Sequence, residues 1–288
     1  MERELWTQLY RIVVRLDSFW TNGFFRAGEI VMVYLWAVVH DRPTSWACDG
    51  RHWGADSPPR LPSPSTMSRR LRRPAVRQLL ERVEAELAGD PRHWWLARID
   101  SKPLTVGRHS KDPEAKYGHA SKGFARGYKL HAIWGGGPLP SLWRIEPMNA
   151  GDATVGRQLV EKLPGEGYVI GDNQYDSNPL HRAAFPRHQI IARQKRPASR
   201  GLGHRRHHPA RLRALELIGK PFGRALLHYR DQIERDFGNL TSFAAGLGPL
   251  PSWVRRLRRV YLWVQAKLLL NAIRIIINTL PHPRQHLQ

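Results

Sequence analysis

The chain predicts an α/β fold, a mixed sheet with crossover helices preceded by a small all-helical region. Three observations carry this expectation. Apolar residues recur at helical spacing through residues 1–40, where Leu5, Leu9, Ile12, Val13 and Leu16 fall on one face. From Trp94 the pattern changes to short apolar runs, three of them in succession. Helical and strand patterns then alternate, which calls for crossover connections and sets the order apart from a fully alternating doubly wound sheet.

Taken in order, the first helix is followed by an Asn22-Gly23 turn and a second apolar run from Ala27 to Val39, closed by Asp41-Arg42-Pro43. Asp49 to Pro64, rich in Gly, Pro and Ser, reads as a linker. Ser65 or Thr66 is then expected to cap a short helix bearing Arg69, Arg70, Arg72 and Arg73, which Pro74 interrupts before a second helix from Ala75 to Leu87. Such a pair suits a helix-turn-helix reading head or, equally, a helix that only grips phosphate.

The strands begin with WLARIDSKPLTV, expected to end at Asp100 because Ser101, Lys102 and Pro103 break the apolar run. A Gly- and Lys-rich connection from Gly107 to Gly127 leads to YKLHAIWGG and LWRIEPMNA. Asp152 or Thr154 is expected to cap the helix VGRQLVEKL. YVIGDNQYD returns to a strand that runs into Asp172, a helix from Pro179 to Phe185 follows, and QIIAR is the last strand. Arg193 to Arg213 carries no acid and reads as a flexible or partly ordered basic insertion. Its His204, His207 and His208 need no metal. Trp253 to Leu280 forms a closing helix whose Leu257, Val260, Tyr261, Val264, Leu268 and Ile275 are expected to pack on the sheet.

Composition narrows the partner. Lys and Arg number 46 against 24 acids, giving +22 over 288 residues, which points to a polyanion such as DNA or RNA. Eleven Trp and 41% hydrophobic residues require a folded body rather than a basic tail. The single Cys48 cannot form an internal disulfide and is expected to be a buried apolar residue in a reducing compartment. No secretory signal opens the chain, and Gln265, Lys267, Asn271 and Arg274 interrupt its longest apolar stretch, so a cytoplasmic protein with no membrane span is expected.

Two strand ends thus present acids, Asp100 and Asp172, and a third acid, Glu234, lies in the helical segment HYRDQIERDFGNL. Brought together they would form a cage of hard oxygen ligands suited to one or two Mg²⁺ ions beside a phosphate. Asp176 is the substitute for Asp172, and Asp152 and Glu146 are weaker candidates.

The stretches IDSKPL, IGDNQYD and YRDQIERDFGNL, with acids 72 and 62 residues apart, resemble the DDE transposases of bacterial insertion sequences over roughly Ser65 to Asn278. The resemblance implies a ribonuclease-H-like core and places the catalytic, metal-holding triad on Asp100, Asp172 and Glu234. Arg230 matches the Arg four residues before the family's Glu. Leu227 stands where the family has Tyr and Thr241 where it has Lys. The implied division is a helical DNA-binding region over 1–90 and a catalytic domain over 91–288. Expected DNA contacts are Arg69, Arg70, Arg72, Arg73, Lys102, Lys129, Arg193, Lys195, Arg196, Arg205, Arg206 and Arg230. The implied cofactor is Mg²⁺ or Mn²⁺, as two ions in the sense of the family mechanism. The implied partners are double-stranded DNA, as terminal inverted repeats and target, and further copies of the chain; the implied place is the nucleoid. The alternative is an inactive copy that only binds DNA. Trp134, Trp143 and Tyr175 are expected in the core or, less often, stacked on an unpaired base.

Overall fold

The computed structural model describes residues 2–17, 24–54, 58, 60–89, 94–120, 123–195, 200–204 and 206–279. The Asn22-Gly23 turn, Arg196, Arg205 and Leu280 lie outside them. The chain divides into two compact units, Met1–Gly89 with Ser242–Leu247 and Leu262–Gln288, and Asp90–Thr241 with Gly248–Tyr261.

The first unit is helical. Its centre is α2 (Ala27–Val39), whose residues are buried almost all round, as its unbroken apolar sequence requires. α1 (Glu2–Leu16) covers it with Leu5, Trp6, Leu9 and Val13. The two helices approach closely at Gly28, whose N–H donates to Asp17 Oδ2 at 3.0 Å; an added Cβ would overlap that carboxylate. Trp36 stacks on Trp53 at 4.8 Å and meets Trp6 edge-on at 5.4 Å. After α3 (Thr44–Ala47), α4 (Pro64–Arg70) is capped by Ser63, two residues before Ser65 and three before Thr66, because Pro64 takes the first helical position. Leu71 to Arg73 turn the chain into α5 (Pro74–Ala88), which Pro74 starts rather than interrupts. Arg69, Arg72 and Arg73 are exposed and Arg70 is half-buried. Cys48 is half-buried, donates to the Thr44 carbonyl, and burial pushes its thiol up to about 11.

The second unit is built on a six-stranded sheet: β1 (Leu96–Thr105), β2 (Lys116–Ala120), β3 (Gly123–Trp134), β4 (Leu142–Pro147), β5 (Gly167–Ile170) and β6 (His188–Ile191). The order is β2-β3-β1-β5-β6, with β4 also on β3. Because β2 pairs with Gly123 to Gly127 and β4 with Tyr128 to Ile133, the two follow one another along β3. The β1 to β4 pairings are antiparallel, and β1-β5-β6 are parallel. This is the ribonuclease-H-like arrangement.

Two expectations about the sheet are corrected. β1 does not end at Asp100 but continues to Thr105, paired there only by β3, so Pro103 sits where one edge is free and a missing N–H is tolerated. The supposed connection from Gly107 to Gly127 contains the β2–β3 hairpin. Its preceding loop is ordered by Arg126, which donates to the carbonyls of Ser110, Ala115 and Asp112, and by Asp112, which accepts from Tyr128 and the Arg256 N–H.

Alternation along β1 assigns its two faces. Ala97 and Ile99 pack under α6 (Asp152–Val160) and α7 (Asn178–Ala184) with Val155, Leu159, Leu180 and Tyr175. Leu96 packs on the other face with Ile170, Ile191 and Leu226, against α8 (Pro209–Gly219) and α9 (Pro221–His228). α10 (Asp231–Thr241) lies on that face too: Arg98 bonds Asp236 at 3.1 Å and Trp134 meets Phe237 edge-on at 4.8 Å.

The basic stretch after β6 is not wholly free of the body. Arg211 is buried and grips Asp176 with two bonds of 2.6 Å, while the Lys195 N–H donates to the same carboxylate at 3.0 Å. Burial alone would raise the Asp176 pKa, but Arg211, His181 and the Lys195 N–H hold it well below the usual range. Asp176 is therefore a structural ion-pair partner. His208 caps α8 and His207 bonds Arg211, which leaves these histidines with structural work.

α11 (Leu257–Thr279) departs from expectation. Only its first turn counts with the sheet, where Tyr261 stacks on Trp143 at 4.5 Å; from Leu262 it belongs with the helical unit. By length and composition α11 is apolar enough to cross a membrane. Buried polar residues within it nonetheless bond protein: Lys267 bonds Val38 O, Asp41 and Ala245 O, and the Gln265 amide N–H donates to Glu84.

Replacing Arg211 by Met should leave the Asp176 carboxylate buried and unpaired, costing about 3–5 kcal/mol. Urea unfolding of the variant checks this, and an unchanged midpoint would show the clasp to be idle.

Candidate active site

The last parallel pair between β1 and β5 is Arg98 with Ile170, and two residues beyond it on each strand stand Asp100 and Asp172. Parallel register therefore sets the two aspartates side by side. The chain leaves β5 at Gly171, where a Cβ would stand 2.8 Å from the Tyr175 ring, and Asp172 caps the short turn Asn173–Tyr175 by accepting from the Gln174 N–H at 2.8 Å. Asp100 accepts from the Ser101 N–H at 2.7 Å. Burial pushes the Asp100 carboxyl up to about 6; the Ser101 N–H opposes that rise and the charge of Asp172 adds to it.

Both aspartates line a cavity of about 240 Å³ that also contains Ser101, Lys129, Asp152 and Tyr175. Asp152 is not the helix cap the sequence suggested. Gly151 holds the N-cap position without a side-chain bond, and the Asp152 carboxylate accepts from Ser101 Oγ at 2.7 Å and Lys129 Nζ at 3.1 Å. Trp134 and Tyr175 are buried and Trp143 lies against Tyr261, so none of the three is presented for base stacking.

A neighbouring cavity of about 500 Å³ shares Asp172 and is ringed by Arg193, Arg224, His228 and Arg230. Its three arginines outnumber Asp172 and Asp231, a positive balance that suits a phosphate. A larger cavity, about 640 Å³, opens at the opposite ends of β5 and β6 around Gly167 and His188, away from the acids.

Glu234 lies in the first turn of α10, on the face of the sheet toward which alternation from Arg98 directs Asp100. Its side chain is 66% exposed, pairs with Arg230 at 3.7 Å, and lines neither acidic nor cationic cavity. Arg230 is the link: it pairs with Glu234, borders Asp172, and its charge lowers the Asp100 pKa. Of the departures, Leu227 packs beside Ile170 and Leu226, and the Thr241 hydroxyl bonds back to the Phe237 carbonyl.

The expected DNA contacts divide. Arg193, Lys195 and Arg206 are exposed. Lys102 is half-buried with its ammonium 5.9 Å from the Phe237 ring centre, and burial lowers its pKa. Lys129 is buried against Asp152.

The donor set suits a hard divalent cation: carboxylate oxygens, with the ionised form of half-buried Asp100 disfavoured by desolvation and then by the charge of Asp172. Among the described residues, no three His, Cys, Asp or Glu side chains are grouped as a finished cation cage. Asp152, Ser101, Arg224 and His228 are the site residues the sequence reading missed or set aside. The signal for the first was His131, a polar residue two positions from Lys129 in an otherwise apolar strand.

No curated protein and no solved structure matches the chain. Residues 96–268 match the family described as the transposase DDE domain, a span that starts at β1, takes in all six strands and both acid-bearing strand ends, and covers more than half of the chain. The chain is a member of the transposase DDE domain family.

Proposed function

We propose that the protein is a DNA transposase that cuts the ends of an insertion sequence and joins them to target DNA, with Asp100, Asp172 and Glu234 as its acids. The observation that carries this reading is that Asp100 and Asp172, each two residues past the last β1–β5 pair, line one cavity beside a group of arginines. Two Mg²⁺ or Mn²⁺ ions bound there would activate the attacking oxygen and stabilise the leaving 3′ oxygen. Asp100 and Asp172 hold the cation, and Glu234 joins them by exchanging its bond to Arg230 for one to the site. Arg193 and Arg230 draw the DNA backbone to the acids, as does Arg224; the exposed Lys195 and Arg206 are further phosphate contacts, and so by sequence are Arg196 and Arg205, outside the described residues. Lys102 and Lys129 lie closest to the reacting strand. Arg69, Arg70, Arg72 and Arg73, around the turn between α4 and α5, grip a second stretch of duplex in the manner of a helix-turn-helix head. Pairing two transposon ends requires at least two copies of the chain, acting on the nucleoid in the cytoplasm.

A strand-transfer assay with Mg²⁺ and labelled duplex carrying the inverted repeats that flank the gene tests this. Asp100→Asn and Asp172→Asn should each lower cleavage and joining about a thousandfold or more, the equivalent of several kcal/mol of charge stabilisation, while gel shift of the same duplex persists. A wild-type chain that shifts the duplex and never cuts it would identify a copy that only binds DNA.

The raised Asp100 pKa gives a second expectation. The folded state favours the protonated carboxyl, so its stabilising contribution is full below the ordinary carboxylate range and is lost as pH rises through about 6. At pH 7.5 in EDTA, Asp100→Asn should therefore be more stable than wild type, by up to about 3 kcal/mol. Mg²⁺ should narrow the gap; a variant that melts below wild type under both conditions would refute the charge-repulsion account.

A further inference from the structure

The cavity of Asp100 and Asp172 holds a third carboxylate, Asp152, whose surroundings are built around it. Its donors come from neighbouring strands. Ser101 lies opposite His131 in the β1–β3 register, and Lys129 lies two residues from His131, so all three side chains share the face that α6 covers. Asp152 Oδ1 accepts from Ser101 Oγ at 2.7 Å and Lys129 Nζ at 3.1 Å, whereas Oδ2 accepts only from Lys129, at 3.2 Å, among the described residues. His131 is fully buried, its Nδ1 3.6 Å from Asp152 Oδ1, and neither ring nitrogen has a hydrogen-bond partner among the described residues. Tyr175 is 1% exposed, lines the same cavity, and its hydroxyl is likewise unpartnered there. Unsatisfied buried polar groups are costly; the Tyr175 hydroxyl borders this cavity, and His131 stands behind Asp152.

Charge points the same way. The cavity lining itself carries three carboxylates and one ammonium, Lys129, with Arg230 acting from beyond it, so the site is left with net negative charge when all are ionised, which favours a cation. Moving Lys129 frees Oδ2, while Ser101 keeps the carboxylate aimed. We propose that Asp152 is a further carboxylate ligand of the divalent-cation pocket, and that Lys129 is the internal counter-ion displaced from it when the cation binds. This rests on the reading of Asp100 and Asp172 as that pocket, and it assigns Lys129 a role in cation exchange beside any contact with DNA.

Calorimetric titration of the full chain with Mn²⁺, without DNA, tests the proposal, with a thermal melt of each variant as the folding control. Asp152→Asn should weaken Mn²⁺ binding about tenfold or more, the scale on which metal-site partners act. Lys129→Met should bind Mn²⁺ at least as tightly as wild type. A smaller loss in Asp152→Asn overturns the proposal, and so does weaker binding in Lys129→Met, since Asp152 would then matter only as a partner of Lys129 within the fold. Should Asp152→Asn fail to fold, Lys129→Met decides alone by the same criterion. Asp100→Asn separates the two levels: unchanged Mn²⁺ affinity there removes the pocket itself, whereas loss there with wild-type affinity in Asp152→Asn removes only the role of Asp152.

Discussion

Parallel pairing of β1 with β5 forces two carboxylates into proximity, because a register that matches Arg98 to Ile170 leaves Asp100 and Asp172 level with each other. Such a pair is unfavourable in itself, and burial makes it more so. Much of the surrounding structure answers that repulsion. Arg230 and Lys129 supply positive charge from opposite faces of the sheet, one from the turn before α10 and the other from β3 against α6. Removing the parallel register would scatter the site even if every residue were kept. That dependence explains why acids far apart in sequence can line one cavity.

The outline of this arrangement was legible from the residues. Apolar runs that meet an acid located β1 and β5 and the end of β5, because a buried strand must be apolar and polarity is allowed where it leaves the core. What was not legible depended on pairing. Nothing local says that β3 would carry β1 past Asp100 to Thr105, and a Pro within the run argued the other way. The hairpin at β2 was hidden because Lys116-Tyr117-Gly118-His119 has an exposed outer edge and weak alternation; Gly118 is required there by a 2.3 Å approach of an added Cβ to the Met148 carbonyl, a contact no local pattern shows. Asp152 looked like a helix cap since aspartate at a helix start commonly is one. Its true partners, Ser101 and Lys129, are distant in sequence.

Long apolar helices were read less well than strands. α11 has apolar residues on all sides, so periodicity could not tell which element it would cover, and the sheet was the wrong choice beyond Tyr261. The polar residues within it carried the information. Lys267 is fully buried yet bonded three times, to Val38, Asp41 and Ala245, which fixes its neighbours more narrowly than any leucine does.

The Asp176 clasp has a bearing on how such a chain can vary. The Lys195 N–H and the Arg211 guanidinium both end on the same carboxylate, so two points sixteen residues apart in sequence are fastened together. Closure entropy grows only slowly with the length of a loop whose ends are already fixed. Changes of chain length between Lys195 and Arg206 accordingly carry little thermodynamic penalty and leave Asp172, four positions before Asp176, where it stands. The clasp thereby separates the tolerance of this stretch to insertion from the rigidity of the acids beside it.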